Sequence, residues 1–103
     1  MASGPPEAGR PTRARLDVWL WRARFLKTRS LAAEFAKAGH VRINGQRATT
    51  AAQPLRVGDT LTMAFVRDVR VVRVVALGGR RGPATEARGL YDDLMEGEET
   101  PKP

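Results

Sequence analysis

The chain reads as an α+β domain: two short N-terminal helices packed on a small, mainly antiparallel twisted sheet, followed by a C-terminal helix. Apolar residues recur at helical spacing over residues 16–38, then alternate as in strands around an Asn-Gly pair, then return to helical spacing after Pro83. The element order is ααββββα, and no internal repeat interrupts it.

Leu16, Trp19, Leu20 and Ala23 stand at i, i+3, i+4 and i+7, one face of an amphipathic helix, with Arg15, Arg22 and Arg24 largely off that face. Lys27-Thr28-Arg29-Ser30 breaks the rhythm, and Thr28 suits the N-cap of a second helix. Leu31, Ala32, Phe35, Ala36 and Ala38 are its expected buried stripe, and Gly39 stands where a left-handed C-terminal residue belongs. His40-Val41-Arg42-Ile43 then alternates. Asn44-Gly45 supplies a hairpin turn whose two positions both need positive φ, and Gln46-Arg47-Ala48 returns antiparallel. Residues 49–54 read as a polar loop ending in proline. Val57-Gly58-Asp59 is a turn into a strand with Leu61, Met63 and Phe65 inward. Arg67-Asp68 makes a corner into Val69–Leu77, where V-R-V-V-R-V-V breaks alternation and implies either a bulge or a strand covered on both faces. After the basic loop 78–82, Pro83 opens a helix with Ala87, Leu90, Tyr91 and Leu94 as its stripe.

Both ends lack anything to bury. The expected organisation is a disordered N-terminal tail over 1–12 (MASGPPEAGRPT), the main domain over 13–78, a basic loop and C-terminal helix over 79–95, and a disordered acidic tail over 96–103 (EGEETPKP).

Charge narrows the function. The net charge is +7, and residues 10–47 hold ten basic against two acidic side chains. Most of the cations are arginine, whose planar fork donates two parallel hydrogen bonds to a phosphate. Such asymmetry points to a polyanionic partner. There is no cysteine and a single histidine, so disulfides and conventional zinc sites are excluded and no cofactor is expected. No apolar run suits a signal peptide or a membrane span, which makes a cytoplasmic, non-membrane protein the expectation. Asp17 is a lone carboxylate in a basic stretch. Its expected work is to orient Arg15 or Arg22, since an isolated carboxylate seldom catalyses without a second acid, base or metal. No acid/base pair, nucleophile constellation or phosphate loop is visible, so an enzyme is not expected.

Residues 15–47, RLDVWLWRARFLKTRSLAAEFAKAGHVRINGQR, resemble the RNA-binding domain named after small-subunit ribosomal protein four. The shared pattern is Arg-Leu-Asp opening a helix, a basic Thr/Ser-Arg corner, a second helix ending in glycine, and strand–Asn-Gly–strand. WLWRARFLKTR and RRGPATEARGLYDDL are similar to its fifteen-kilodalton heat-shock subgroup, and a short relative acting in ribosome-associated quality control has a comparable layout. The resemblance implies binding of structured ribosomal RNA on the large subunit, with transfer RNA as a further ligand. It also implies a role in recycling or rescue of stalled subunits, or in synthesis of C-terminal tails, and the expected form is a monomer.

By matching position, the implied RNA-binding residues are Arg15, Asp17, Arg22, Lys27, Thr28, Arg29, Ser30, Lys37, Arg42, Asn44 and Gly45. The corner at the start of the second helix also has a physical reason, because free N–H groups and the helix dipole attract phosphate there. Trp19 and Trp21 lie about 200° apart around a helix and cannot share one face. Trp19 suits the core, while Trp21 either stacks on an unpaired base or packs under the C-terminal helix. His40 is expected at a surface strand edge beside this face, and Arg80 and Arg81 either reach phosphates or only solvate their loop. The competing class is a generic basic binder of DNA or of an acidic protein. The acidic tail is expected not to contribute to RNA affinity and slightly to oppose it, so deleting residues 96–103 has a small effect, because exposed charges beyond about 8 Å are screened. A binding titration of the truncated chain checks this, and lost binding would make the tail a contact element.

Overall fold

The computed structural model describes residues 12–94, so the tails expected at 1–12 and 96–103 lie outside it except for Thr12. In chain order the elements are β1 (Ala14–Arg15), α1 (Leu16–Arg22), α2 (Arg29–Lys37), β2 (Val41–Ile43), β3 (Gln46–Arg47), β4 (Pro54–Leu55), β5 (Thr60–Ala64), β6 (Val69–Val74), α3 (Ala84–Ala87) and β7 (Tyr91–Asp93). An antiparallel sheet of order β3-β2-β5-β6-β7 carries the two N-terminal helices on its inner face, and β1 pairs separately with β4.

The helices form where apolar periodicity placed them. Leu16, Trp19, Leu20 and Ala23 of the first stripe are all buried, against Val41, Leu61, Met63, Val72 and Val74 of the sheet. Helices α1 and α2 each close with a Schellman motif. In α2, Gly39 N–H donates to Ala36 and His40 N–H to Phe35, with Gly39 at φ +86°. In α1, Arg24 N–H donates to Trp21 and Phe25 N–H to Leu20, and the left-handed position is held by Arg24 at φ +66°. The Asn44-Gly45 turn has both residues at positive φ, +53° and +89°, the geometry a two-residue hairpin requires.

Four expectations are corrected. Leu31 and Ala38 do not join the buried stripe of α2: Leu31 is 46% exposed and Ala38 is exposed. Only Ala32 and Ala36 are fully enclosed, since close approach to α1 favours small side chains, and Phe35 is half-buried beside Phe65, with ring centroids 4.8 Å apart. The loop 49–54 contains a strand at its end, because Pro54 and Leu55 pair with Arg15 and Ala14. No bulge interrupts β6, whose ladder with β5 runs unbroken from Thr60↔Arg73 to Ala64↔Val69. Its outer face is not covered either, as Val69 and Arg73 are exposed, while the inward Arg70 lies over the Phe25 ring and pairs with Asp93.

The C-terminal helix is shorter than expected. One α-turn over Ala84–Ala87 is followed by a 3-10 turn over Arg88–Leu90, and the chain then extends as β7 along the open edge of β6. Spacing at 87, 90, 91 and 94 suits either outcome. The strand wins because β6 offers unpaired backbone groups, Tyr91 packs 4.8 Å from Phe25, and Asp93 reaches Arg70.

Leu20→Ala should cost about 3 kcal/mol through a core cavity. Leu31→Ala should stay within about 0.5 kcal/mol, as surface substitutions do. Urea denaturation of both variants checks the helix phase, and equal losses would refute it.

Candidate nucleic-acid interface

The first basic side chain is aimed from beneath. Asp17 sits in the first turn of α1, only 4% exposed, because the start of that helix is held by β4 and its preceding loop: Leu16 N–H donates to Gln53 and Asp17 N–H to Ala51. Its two oxygens accept Nε and Nη2 of Arg15, both at 3.0 Å, and Oδ1 also accepts Val18 N–H at 2.8 Å. The hydrogen bond to Asp17, then its charge, hold the Arg15 guanidinium above the ordinary arginine pKa. Asp17 is therefore a support for a surface arginine rather than a surface group itself.

The corner between α1 and α2 carries the densest positive charge. Lys27, Thr28, Arg29 and Ser30 are all exposed. Thr28 Oγ1 accepts Leu31 N–H at 3.0 Å, which caps α2 and leaves its hydroxyl hydrogen available. The N–H groups of the first helical positions have no intrahelical acceptor, so they add donors beside these cations. Arg29 lies over the Trp21 ring, 5.8 Å from its centroid, and Arg81 lies 5.9 Å from the same centroid. Trp21 is half-buried against the core with two guanidiniums at its ring, a tertiary arrangement that spacing along one helix does not reveal.

The hairpin supplies a second basic edge. Arg42 stands directly opposite Arg47, so two like charges share one face of β2–β3. Such pairs are unfavourable in a free sheet and are relieved by an anion. The Arg47 stem passes over Gly39, where an added Cβ would lie 3.2 Å from its Cδ. Lys37, in the last turn of α2, and His40 are exposed near this end, with the His40 ring 5.2 Å from Phe35.

Other expected contact residues are turned to structural work. Arg22 directs Nη1 to the carbonyls of Gly78 and Leu77, at 3.0 and 3.4 Å, and its Nε is buried without a partner among the described residues. The Asn44 amide is used twice, donating to Asp59 Oδ1 at 3.0 Å and accepting Thr60 N–H at 2.9 Å, which locks the hairpin turn to the 56–60 turn. Gly45 contributes backbone alone, and its carbonyl accepts Arg42 Nη1 at 3.5 Å. Arg80 pairs with Glu86 at 2.9 Å. Arg47 stands opposite Arg42 although it was not among the expected contact residues, and a strand-register argument from Asn44-Gly45 finds it. Among the described residues no group of three acidic or histidine side chains is placed to hold a metal, and no helix is long and apolar enough to cross a membrane.

The S4 domain family model matches residues 14–61, from β1 into β5. Heat shock protein 15 of Escherichia coli K12 is 45% identical over 82 residues, 80% of this chain and 61% of that protein, so the chain spans about three fifths of that relative's length. Small ribosomal subunit protein uS4 of Nitrobacter winogradskyi is 43% identical over 47 residues, 46% of this chain and 23% of that one. The solved structure of Vibrio cholerae heat shock protein 15, described as trimeric, superposes with a TM-score of 0.75 at 34% identity, covering 86% of this chain and 93% of that one.

Asp17→Ala should cost about 2 kcal/mol, because it removes a buried carboxylate that accepts one backbone and two arginine N–H groups. Thermal denaturation at neutral pH checks it. An unchanged midpoint would mean that Arg15 is not held from below.

Proposed function

Because the chain belongs to the heat shock protein 15 family of S4-domain proteins, we propose that it binds structured RNA through the α1–α2 corner and the β2–β3 hairpin. The observation that carries this reading is the start of α2. Thr28 caps the helix, and Arg29 is held over Trp21 where N–H donors and the helix dipole already favour a phosphate. Arg15, Lys27, Ser30, Lys37 and Arg42 extend the surface, and Arg47 joins them beside Arg42. Asn44 and Gly45 shape the hairpin that presents it. Recognition is mainly of phosphate and shape, since an A-form duplex hides its base edges in a deep, narrow groove.

The ligand in this reading is ribosomal RNA of the large subunit, with transfer RNA as a second ligand. The role is recycling or rescue of stalled subunits, and the protein acts by binding rather than by turnover. The family likeness and the match to a ribosomal protein support a ribosomal setting. Support of C-terminal tail synthesis is the other use of the same surface. In this reading one chain is the binding unit. Sedimentation equilibrium separates that from the trimer described for the Vibrio cholerae relative.

The protein should co-sediment with large ribosomal subunits at low salt and leave them at high salt, because each phosphate contact contributes roughly −0.7 to −0.9 to the log–log salt slope. Arg29→Ala should weaken binding about ten- to a hundredfold with the fold intact, as expected for one charge-assisted contact. Arg88→Ala, in the 3-10 turn, should change little. Sucrose gradients and titrations at several salt concentrations check both, with duplex DNA compared at matched salt. Protein that stays at the top of the gradient at low salt, or binds DNA equally well, refutes the reading.

A further inference from the structure

The geometry points to a phosphate clamp of three arginines, Arg24, Arg29 and Arg81, built around Trp21. It rests on the RNA-binding reading above and extends the site beyond residues 14–61, into the glycine-rich loop after β6.

Four features converge. First, the three guanidiniums come from separate places: the turn after α1, the start of α2 and the 78–82 loop. Trp21 gathers two of them, since Arg29 and Arg81 lie over its ring and its carbonyl accepts Arg81 Nε at 3.0 Å, and Arg24 joins through Gly82, the residue next to Arg81. Second, Arg24 and Arg81 are tethered through Nε. Arg24 Nε donates to the Gly82 carbonyl at 2.7 Å, so each side chain is fixed while its two terminal amino groups remain for an anion. Third, no carboxylate of the described residues forms an ion pair with them. Among the described residues the acids in ion pairs hold Arg15, Arg70 and Arg80.

Fourth, the backbone at Arg24 is strained. It occupies the left-handed position of a Schellman motif at φ +66°, where glycine is the usual residue and does occur in the equivalent place after α2. A non-glycine residue in such a region persists where the surroundings hold it, and such sites cluster at ligand clamps. Here the strain places a guanidinium beside Gly82 and Arg81.

Like charges brought to one corner repel, and a phosphate bound among them relieves that repulsion. A nucleic-acid backbone running along the corner would meet Arg29 first and the 78–82 loop next. The arrangement also separates two arginines that the sequence leaves alike. Arg80 is spent on Glu86 at the outer side of the loop, whereas Arg81 faces the corner.

The test is a binding titration with a structured ribosomal RNA fragment at four salt concentrations. It uses the full chain, Arg24→Gly, Arg81→Gln, Arg29→Ala and Arg80→Gln. Arg80→Gln is the matched control because it removes the same single charge from the same loop. Arg81→Gln and Arg24→Gly should each weaken binding about tenfold and lower the salt slope by about one unit. Arg80→Gln should stay within about twofold of wild type. Arg24→Gly carries a second readout. Glycine suits the left-handed backbone, which offsets the lost bond to Gly82, so its melting temperature should stay near that of wild type while its affinity falls. If Arg24→Gly fails to fold, the inference stands or falls on Arg81→Gln against Arg80→Gln. If Arg29→Ala weakens binding but Arg81→Gln behaves like Arg80→Gln, the clamp is overturned and the RNA-binding reading survives. If wild type shows no salt-dependent binding, both fall.

Discussion

The indole of Trp19 holds the molecule together. It is fully buried from the inner face of α1, and its Nε1 donates to the Ala76 carbonyl at 2.9 Å, joining residues 57 positions apart. A buried indole N–H without an acceptor costs about 1–3 kcal/mol, so the pairing fixes where the end of β6 lies relative to α1. The ring also meets Phe25 at 6.0 Å and Tyr91 at 6.4 Å. From there an aromatic row continues through Phe65 to Phe35. This row runs from the first helix to the second across the sheet. It also includes the Tyr91 end of β7, so the segment beyond the matched domain packs into the same core through Leu77 and Leu90.

With α1 fixed, the basic corner follows. The helix must stop after Ala23 for α2 to pack against it, and the stop is made by a left-handed Arg24 and a bond from Phe25 to Leu20. Thr28 then restarts the chain. The C-terminal end of one helix and the N-terminal end of the next lie close together, and only the second attracts anions. Cations crowd that end although they gain nothing from its dipole. The opposed Arg42 and Arg47 repeat the pattern on the hairpin. Charges placed against local electrostatics reduce the stability of the free chain, and a bound polyanion offsets that loss. Stability and binding therefore pull in opposite directions at this surface.

Buried structure supports the exposed cations at each point. Asp17 is enclosed so that Arg15 can be aimed, and Asn44 is committed to Asp59 and Thr60 so that the hairpin carrying Arg42 keeps its register. Arg22 anchors the 78–82 loop by its carbonyls, which brings Arg81 to Trp21. Arg15, Arg22, Arg42 and Arg81 are chemically alike, yet their surroundings assign two to the surface, one to anchoring and one to stacking.

Local patterns carried most of the fold. The stripe of α1, the Thr28 cap, the left-handed Gly39, the Asn44-Gly45 turn and the alternation of Leu61 and Met63 are each written within a few residues, because backbone conformation and facing depend on near neighbours. The charge pattern likewise located the corner at Lys27–Ser30. What spacing left open depended on partners far along the chain. Tyr91–Asp93 became a strand because β6 had an open edge to offer, and Leu31 stayed exposed because α1 needed only the alanines of α2. Asp17 chose Arg15 and Arg22 chose loop carbonyls, a division that similar side chains on one helix do not signal. The separation of Arg80 from Arg81 is the clearest case: adjacent residues of one type diverge because Glu86 lies within reach of one and Trp21 of the other, and both neighbours arrive only when the chain has folded.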